Sequence, residues 1–198
     1  MQIRHEEKRE DKYFTYADYC TWGDDQGQRW ELIDGIPYLM AMPSIDHQEI
    51  SGNLHWKFRE YLQGKKKCKV FLPLDVRLNW EKGDHTVVQP DLIVVCDPKK
   101  LEDGKTCKGA PDLVIEILSP STRKHDMTTK FIKYREAGVK ELWYVDPETQ
   151  FVQVFKLEKG EYLANVYSSP DKITVGILPE LVIDLADIFE DEGGGEEA

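Results

Sequence analysis

Two acidic residues interrupt runs that are otherwise apolar. The first run, Val87-Val88-Gln89-Pro90-Asp91-Leu92-Ile93-Val94-Val95, contains Asp91, and the second, Asp112-Leu113-Val114-Ile115-Glu116-Ile117-Leu118, contains Glu116. Runs this rich in β-branched residues predict strands buried on both faces, and an unpaired carboxylate buried in such a strand is strongly unfavourable. Something must compensate the two charges. Carboxylate oxygens are the preferred ligands of Mg²⁺ and Mn²⁺, and an ion held by two of them keeps positions open for water and a phosphate. Such an ion could polarise a phosphodiester, lower the pKa of an attacking water and stabilise the leaving alkoxide, with a lysine nearby to offset charge in the transition state. Lys130 is the best placed lysine. The same residues also fit a simpler reading, a structural ion-pair network of Asp91, Glu116, Lys130 and Arg123.

These residues need elements to hold them. After the second strand, Ser119-Pro120-Ser121-Thr122 breaks the sheet and opens a helix reaching about Ala137, with Gly138 at its end. At 100° per residue, Met127, Phe131 and Tyr134 define its apolar face. Asp126, Lys130 and Tyr134 form a row along one flank, and Lys133 points largely away. Residues 141–146 make a third strand, and the helical crossover predicts that it runs parallel to the second. Upstream, Thr15 and Asp18 resemble a capping box opening a short helix. Asp34-Gly35 between two apolar runs predicts a hairpin carrying Glu31 on its first strand. Residues 46–63 predict a helix with one apolar stripe and His47 in its first turn. Residues 68–78 alternate as one half-buried strand. Residues 151–157 and 162–167 read as an antiparallel pair turning at Lys159-Gly160, and residues 181–189 as a terminal amphipathic piece.

The chain has 198 residues, 40 % hydrophobic and 32 % charged, which fits one soluble domain. Residues 1–12 read as a charged arm, 13–189 as the folded domain and 190–198 as an acidic, glycine-rich flexible tail. No run approaches the roughly 18 apolar residues that cross a bilayer, and the N-terminus lacks a signal-peptide core. The expected location is the cytoplasm, with no membrane partner. Cys20, Cys68, Cys96 and Cys107 show no ligand spacing and read as reduced structural thiols. A net charge of −11, or −6 without the tail, excludes a protein that coats nucleic acid by basicity alone. The densest basic cluster, Lys57, Arg59, Lys65, Lys66, Lys67 and Lys69, reads as a solvated face before it reads as a nucleic-acid contact.

Gln89-Pro90-Asp91, Ala110 to Ser121 around Glu116, the row Asp126, Lys130 and Tyr134, and Gly138 to Pro147 together resemble the Uma-two family of proposed restriction endonucleases. Trp30 to Gly35, Met42-Pro43-Ser44 and His47 extend the resemblance over nearly the whole span from Tyr13 to Phe189. It implies an α/β (α+β) restriction-endonuclease-like fold of the PD-(D/E)XK superfamily, with a mixed central sheet flanked by helices and an N-terminal hairpin. It also implies metal-dependent cleavage of DNA. Carried over by position, Pro90-Asp91 is the PD element and Glu116 the second acidic ligand, while Leu118 occupies the place of the superfamily's usual lysine. Leucine can neither orient water nor balance charge, so the role passes to Lys130 or the protein is catalytically weak. Glu31 resembles an additional N-terminal ligand, and His47, Gln89, Asp126 and Tyr134 are auxiliary candidates. The implied cofactor is Mg²⁺ or Mn²⁺, and the implied partner is DNA. A homodimer is also expected, built on residues 181–189 and the exposed-looking aromatics Tyr162 and Tyr167. The alternative is a degenerate nuclease fold serving as an oligomerising or nucleic-acid-binding module.

Overall fold

The computed structural model describes residues 13–22, 28–65 and 67–189, so the arm and the tail lie outside the described residues. In chain order the elements are α1 (Tyr16–Tyr19), β1 (Trp30–Ile33), β2 (Ile36–Leu39), α2 (Ile45–Leu62), β3 (Lys69–Phe71), β4 (Val76–Arg77), β5 (Val87–Val88), β6 (Leu92–Val95), a 3₁₀ turn (Pro98–Leu101), β7 (Cys107–Lys108) and β8 (Leu113–Ile117). A helix in three parts follows: α3 (Arg123–His125), a π turn (Asp126–Lys130) and α4 (Phe131–Ala137). Strands β9 (Glu141–Asp146), β10 (Phe151–Glu158), β11 (Glu161–Ser168), β12 (Lys172–Thr174) and β13 (Val182–Asp184) complete the chain. The Thr15–Asp18 capping box is present, and β1 and β2 form the hairpin with Asp34 and Gly35 both at positive φ.

The central layer is a six-stranded sheet in the order β11-β10-β9-β8-β6-β3, in which only β8 and β9 run parallel. The expected crossover is therefore right, and so is the antiparallel pair turning at Lys159-Gly160. A five-stranded sheet, β2-β1-β5-β4-β7, stands beside it, and β12 and β13 make a separate pair. Residues alternate between faces along β8. Leu113, Ile115 and Ile117 enter a core shared with α2 and the C-terminal segment, and Val114 and Leu118 enter a second core with Tyr134 and Val139. Glu116 shares the parity of Val114 and Leu118 and so faces the helix that carries Lys130.

The strands expected over 68–78 and 87–95 are each broken, and the breaks have one cause. The two segments form a single bent antiparallel ribbon whose register is the same on both sides of the bend, with Lys69 opposite Val95 and Val76 opposite Val88. Pro73 and Pro90 fall at the bend. A proline has no N–H to continue a ladder, so each arm leaves one sheet there and enters the other. Asp91 is the first residue past the bend. Continuing the β6–β8 register, in which Leu92 pairs with Ile115, sets Asp91 opposite Glu116.

Two further expectations are corrected. Cys68 and Cys96 form a disulfide, while Cys20 and Cys107 are free. These two cysteines lie one step beyond the Lys69–Val95 pair, directly across the ribbon, a proximity that 28 residues of separation conceal. Most of the apolar side chains expected for a dimer surface over residues 181–189 are instead used by the chain itself, because Leu181, Ile183, Leu185, Ile188 and Phe189 are buried in its own core and Val182 alone of the large apolar ones is exposed. Tyr162 is likewise engaged, packing against Phe131 and Phe155 and donating its hydroxyl to the Val139 carbonyl. Among the described residues, no helix is long and apolar enough to cross a membrane.

Candidate active site

Glu116 is 3 % exposed, and its Oε1 is the meeting point of the site. Lys130 Nζ donates to it at 2.7 Å, and the Tyr134 hydroxyl donates to the same oxygen in a short hydrogen bond. The amine also lies 3.0 Å from Glu31 Oε1 and 3.4 Å from Asp126 Oδ1. The row 126, 130, 134 therefore lies buried against Glu116, Lys130 and Tyr134 directly and Asp126 through Lys130. The π turn contributes to this arrangement. Phe131 N–H reaches back five residues to the Asp126 carbonyl, which also accepts the Tyr144 hydroxyl at 2.6 Å. A π turn inside an α-helix often marks a functional position.

Asp91 is held from two sides. Its Oδ2 accepts the Ile117 backbone N–H at 2.8 Å and the His47 Nε2–H at 3.1 Å. His47 is aimed by its helix, since Ser44 caps α2 by accepting the His47 backbone N–H. Asp91 Oδ1 and Glu116 Oε2 make no hydrogen bond or ion pair among the described residues. Asp91, Glu116, Lys130, Asp126 and His47 all line one cleft of about 370 Å³.

The electrostatics follow from crowding three carboxylates around one amine, with Asp91 acting on Glu116 as a fourth acid. Burial drives Glu116 well above the ordinary carboxylate range, with Lys130 opposing the shift and Asp126, Asp91 and Glu31 adding to it. Burial works against the Lys130 charge, yet Glu116 and Glu31 outweigh it and hold Lys130 well above the ordinary lysine value. Burial likewise lifts the Tyr134 phenol, which stays a donor. For His47, burial lowers the pKa and the bond to Asp91 raises it, with the bond prevailing.

Other expected residues have partners of their own. Glu31 Oε1 accepts the Gln89 backbone N–H at 2.9 Å as well as the Lys130 amine, and Glu31 is not among the residues lining the cleft. The Gln89 side-chain amide donates to Asp75 at 2.7 Å and to the Tyr19 hydroxyl at 3.0 Å. Arg123 is not part of the cluster but pairs bidentately with Asp146. Leu118 is core, with its N–H bonded to the Val145 carbonyl. In the basic cluster, Lys57 pairs with Asp187 and Lys65 with Glu180. Two basic residues near the site escape a reading by motif. Arg29 lines the cleft from just before β1. His125, stacked 4.5 Å from the Tyr38 ring, lies 4.0 Å from Glu31 Oε2, and burial lowers its pKa. The only signal for either was a basic side chain adjacent to a recognised segment.

The donor set suits a hard divalent cation. Two carboxylates line one cleft, each with one oxygen that makes no hydrogen bond or ion pair among the described residues, and burial disfavours the Glu116 charge that a bound cation would stabilise. Among the described residues, no three or more His, Cys, Asp or Glu side chains are grouped so as to hold a metal ion by themselves. The arrangement matches Mg²⁺ or Mn²⁺, which keep several waters, better than an all-protein site.

Comparison with known proteins follows the same line. The model of the Uma2 family, described as "putative restriction endonuclease", matches residues 15–186. An uncharacterized protein of Synechocystis sp., slr1290, is 28 % identical over 160 residues, covering 79 % of this chain and 81 % of its own. A second from the same organism, sll1609, is 27 % identical over 125 residues, covering 63 % and 69 %. The crystal structure of a "putative nuclease" of the DUF820 group from Anabaena variabilis superposes with a TM-score of 0.73 at 21 % identity, covering 89 % of this chain and 97 % of that one. The fold is thus the α/β restriction-endonuclease-like one.

Proposed function

We propose that this chain, which belongs to the Uma2 family, is a divalent-metal-dependent endonuclease that hydrolyses phosphodiester bonds in DNA. The observation that carries this reading is the opposition of Asp91 and Glu116 across β6 and β8, each with a free oxygen on one cleft, and with a buried lysine against the second. Asp91 and Glu116 would hold Mg²⁺ or Mn²⁺, which would supply Lewis-acid stabilisation of charge on the phosphate.

The chain's own groups supply the rest. Lys130 is unsuited to act as a general base, because its raised pKa keeps it protonated. It serves instead as a fixed positive charge beside the developing phosphorane. Its three N–H donors face Glu116, Glu31 and Asp126, and the longest contact, 3.4 Å to Asp126, is the one a phosphate oxygen or the attacking water would replace. Glu31 is a positioning residue for this amine. His47 orients the Asp91 carboxylate, and Tyr134 fixes Glu116 through Oε1, leaving Oε2 without a hydrogen bond among the described residues.

The test is plasmid cleavage by the purified full chain. Supercoiled DNA should be nicked or linearised with Mg²⁺ or Mn²⁺ and not with EDTA, and Glu116→Ala should abolish cleavage. Metal-independent cleavage, or cleavage that survives the substitution, would refute the assignment. Saturation of every Lys130 donor favours one second reading, a degenerate fold that binds nucleic acid without cutting it. That reading requires an intact chain that binds oligonucleotides but leaves plasmid uncut in either metal.

A further inference from the structure

The cleft holds one cation with unmet hydrogen-bonding demand. Arg29 makes a single hydrogen bond, Nε–H to Gln89 Oε1 at 2.9 Å, and its Nη2 is buried with no partner. A guanidinium carries five N–H donors, and an unsatisfied buried donor is costly to leave so. Gln89 is itself fixed, donating to Asp75 and Tyr19 while its backbone N–H is held by Glu31. The group is thus tethered at one corner by a rigid partner, and its forked end is uncommitted. It lines the same cleft as Asp91, Glu116 and His47, and its charge opposes protonation of His47.

Neighbouring carboxylates do not satisfy it. Asp91, Glu116 and Asp126 are engaged with Ile117, His47, Tyr134 and Lys130, and Asp46 and Glu148, which also line the cleft, make no bond to Arg29. A planar fork of donors matches the non-bridging oxygens of a phosphate, which it can grip in a bidentate manner. We propose that Arg29 grips a backbone phosphate of the nucleic acid entering this cleft, turning about its Nε bond to Gln89 so that both Nη groups donate to that phosphate. The inference rests on the reading of the cleft as a nucleic-acid site, but not on hydrolysis there.

The test is binding, separate from cleavage. Affinity of the full chain for a short fluorescent DNA duplex is measured by anisotropy with EDTA and with Ca²⁺, across a range of salt, for the wild type, Arg29→Met and Arg29→Lys. Arg29→Met should weaken binding about 10- to 100-fold and flatten the slope of log K against log salt by about 0.9. Arg29→Lys should restore the slope but not the affinity, because an ammonium lacks the fork. Unchanged affinity and slope in a folded Arg29→Met protein overturn the proposal, as does a wild type that binds no duplex. If Arg29→Met fails to fold, Arg29→Lys decides, and wild-type affinity in that variant overturns it. The two readings fail separately. Arg29-dependent binding without cleavage leaves this inference standing and removes hydrolysis, whereas cleavage with Arg29-independent binding does the reverse.

Discussion

Lys130→Met isolates what the buried amine does. The ammonium, 3 % exposed at its side chain, stands within 3.4 Å of three carboxylates, and methionine fills a similar volume without charge. Removing one partner of a buried ion pair costs about 3–5 kcal/mol, because the remaining charge is left uncompensated. For a domain of this size each kcal/mol moves the melting temperature by ~2–4 °C, giving a drop of about 6–20 °C. The deficit must depend on pH in a definite direction. Without Lys130, Glu116 loses the one charge that opposes its burial, so its pKa climbs further above 4.5. A carboxylate raised in the folded state contributes stability in full below its unfolded pKa and loses it as pH rises through the folded one. The variant should therefore be most impaired near pH 8 and recover toward the wild type near pH 5. In the wild type, Lys130's own contribution is intact below 10.5 and is lost only as pH rises through its higher folded value. Thermal and urea unfolding across that range provide the assay. Wild-type stability at pH 8, or a deficit that does not vary with pH, would show that the amine is not compensating these acids.

Three more outcomes follow from individual contacts. In a histidine NMR titration His47 should titrate above 6.5, and Asp91→Asn should lower it, since burial and Arg29 are then opposed only by the smaller effect of a backbone hydrogen bond; the His47 contribution to stability, present below 6.5, is lost as pH rises through its raised value. Tyr134→Phe removes the hydroxyl donor from Glu116 Oε1 and should cost about 1–3 kcal/mol in urea unfolding, with a cation-binding change visible by calorimetry, because Glu116 is freed to rotate. Arg123→Met removes the bidentate partner that, with Thr149, holds Asp146 below 3.8 against its burial, at a partly exposed site worth about 1 kcal/mol. That stability is present above 3.8 and lost as pH falls through the depressed pKa, so variant and wild type should converge in acid unfolding curves.

What could be read from the residues was local periodicity and its violation. Asp91 and Glu116 declared themselves because a charge in a β-branched run demands compensation, and the helix crossover fixed the parallel pairing of β8 and β9. The bent ribbon was not legible as such, because two prolines 17 residues apart act together only through a register that links residues 69–95 across space. The Cys68–Cys96 bond shares that long-range origin. Lys130, expected on the flank of the helix, meets Glu116 and is buried there, a depth that ideal helix angles do not convey because they do not anticipate a π turn whose Asp126 carbonyl accepts the Tyr144 hydroxyl from β9. Arg29 and His125 carry no local anomaly at all. Their unmet donors become visible only once neighbours are in place.

The loss of lysine at Leu118 is compatible with this geometry because strand parity, not sequence distance, decides which groups meet. Residue 118 shares the helix-facing side of β8 with Glu116, two positions along the same strand, so a lysine there would reach the cleft from below. Lys130 reaches the same carboxylate from the helix above, and the site keeps its charge while Leu118 adds to the core. The substitution changes what the amine can do. A strand lysine flanks its acid and is free on its other side, whereas Lys130 is enclosed by Glu31, Glu116 and Asp126 and is pinned by all three. Such an amine is fitted to hold charge rather than to move protons, and on the proposed reading water orientation would fall to the free oxygens of Asp91 and Glu116 and the grip on the phosphate to a second cation. Arg29 is the cation in the cleft wall with donors to spare.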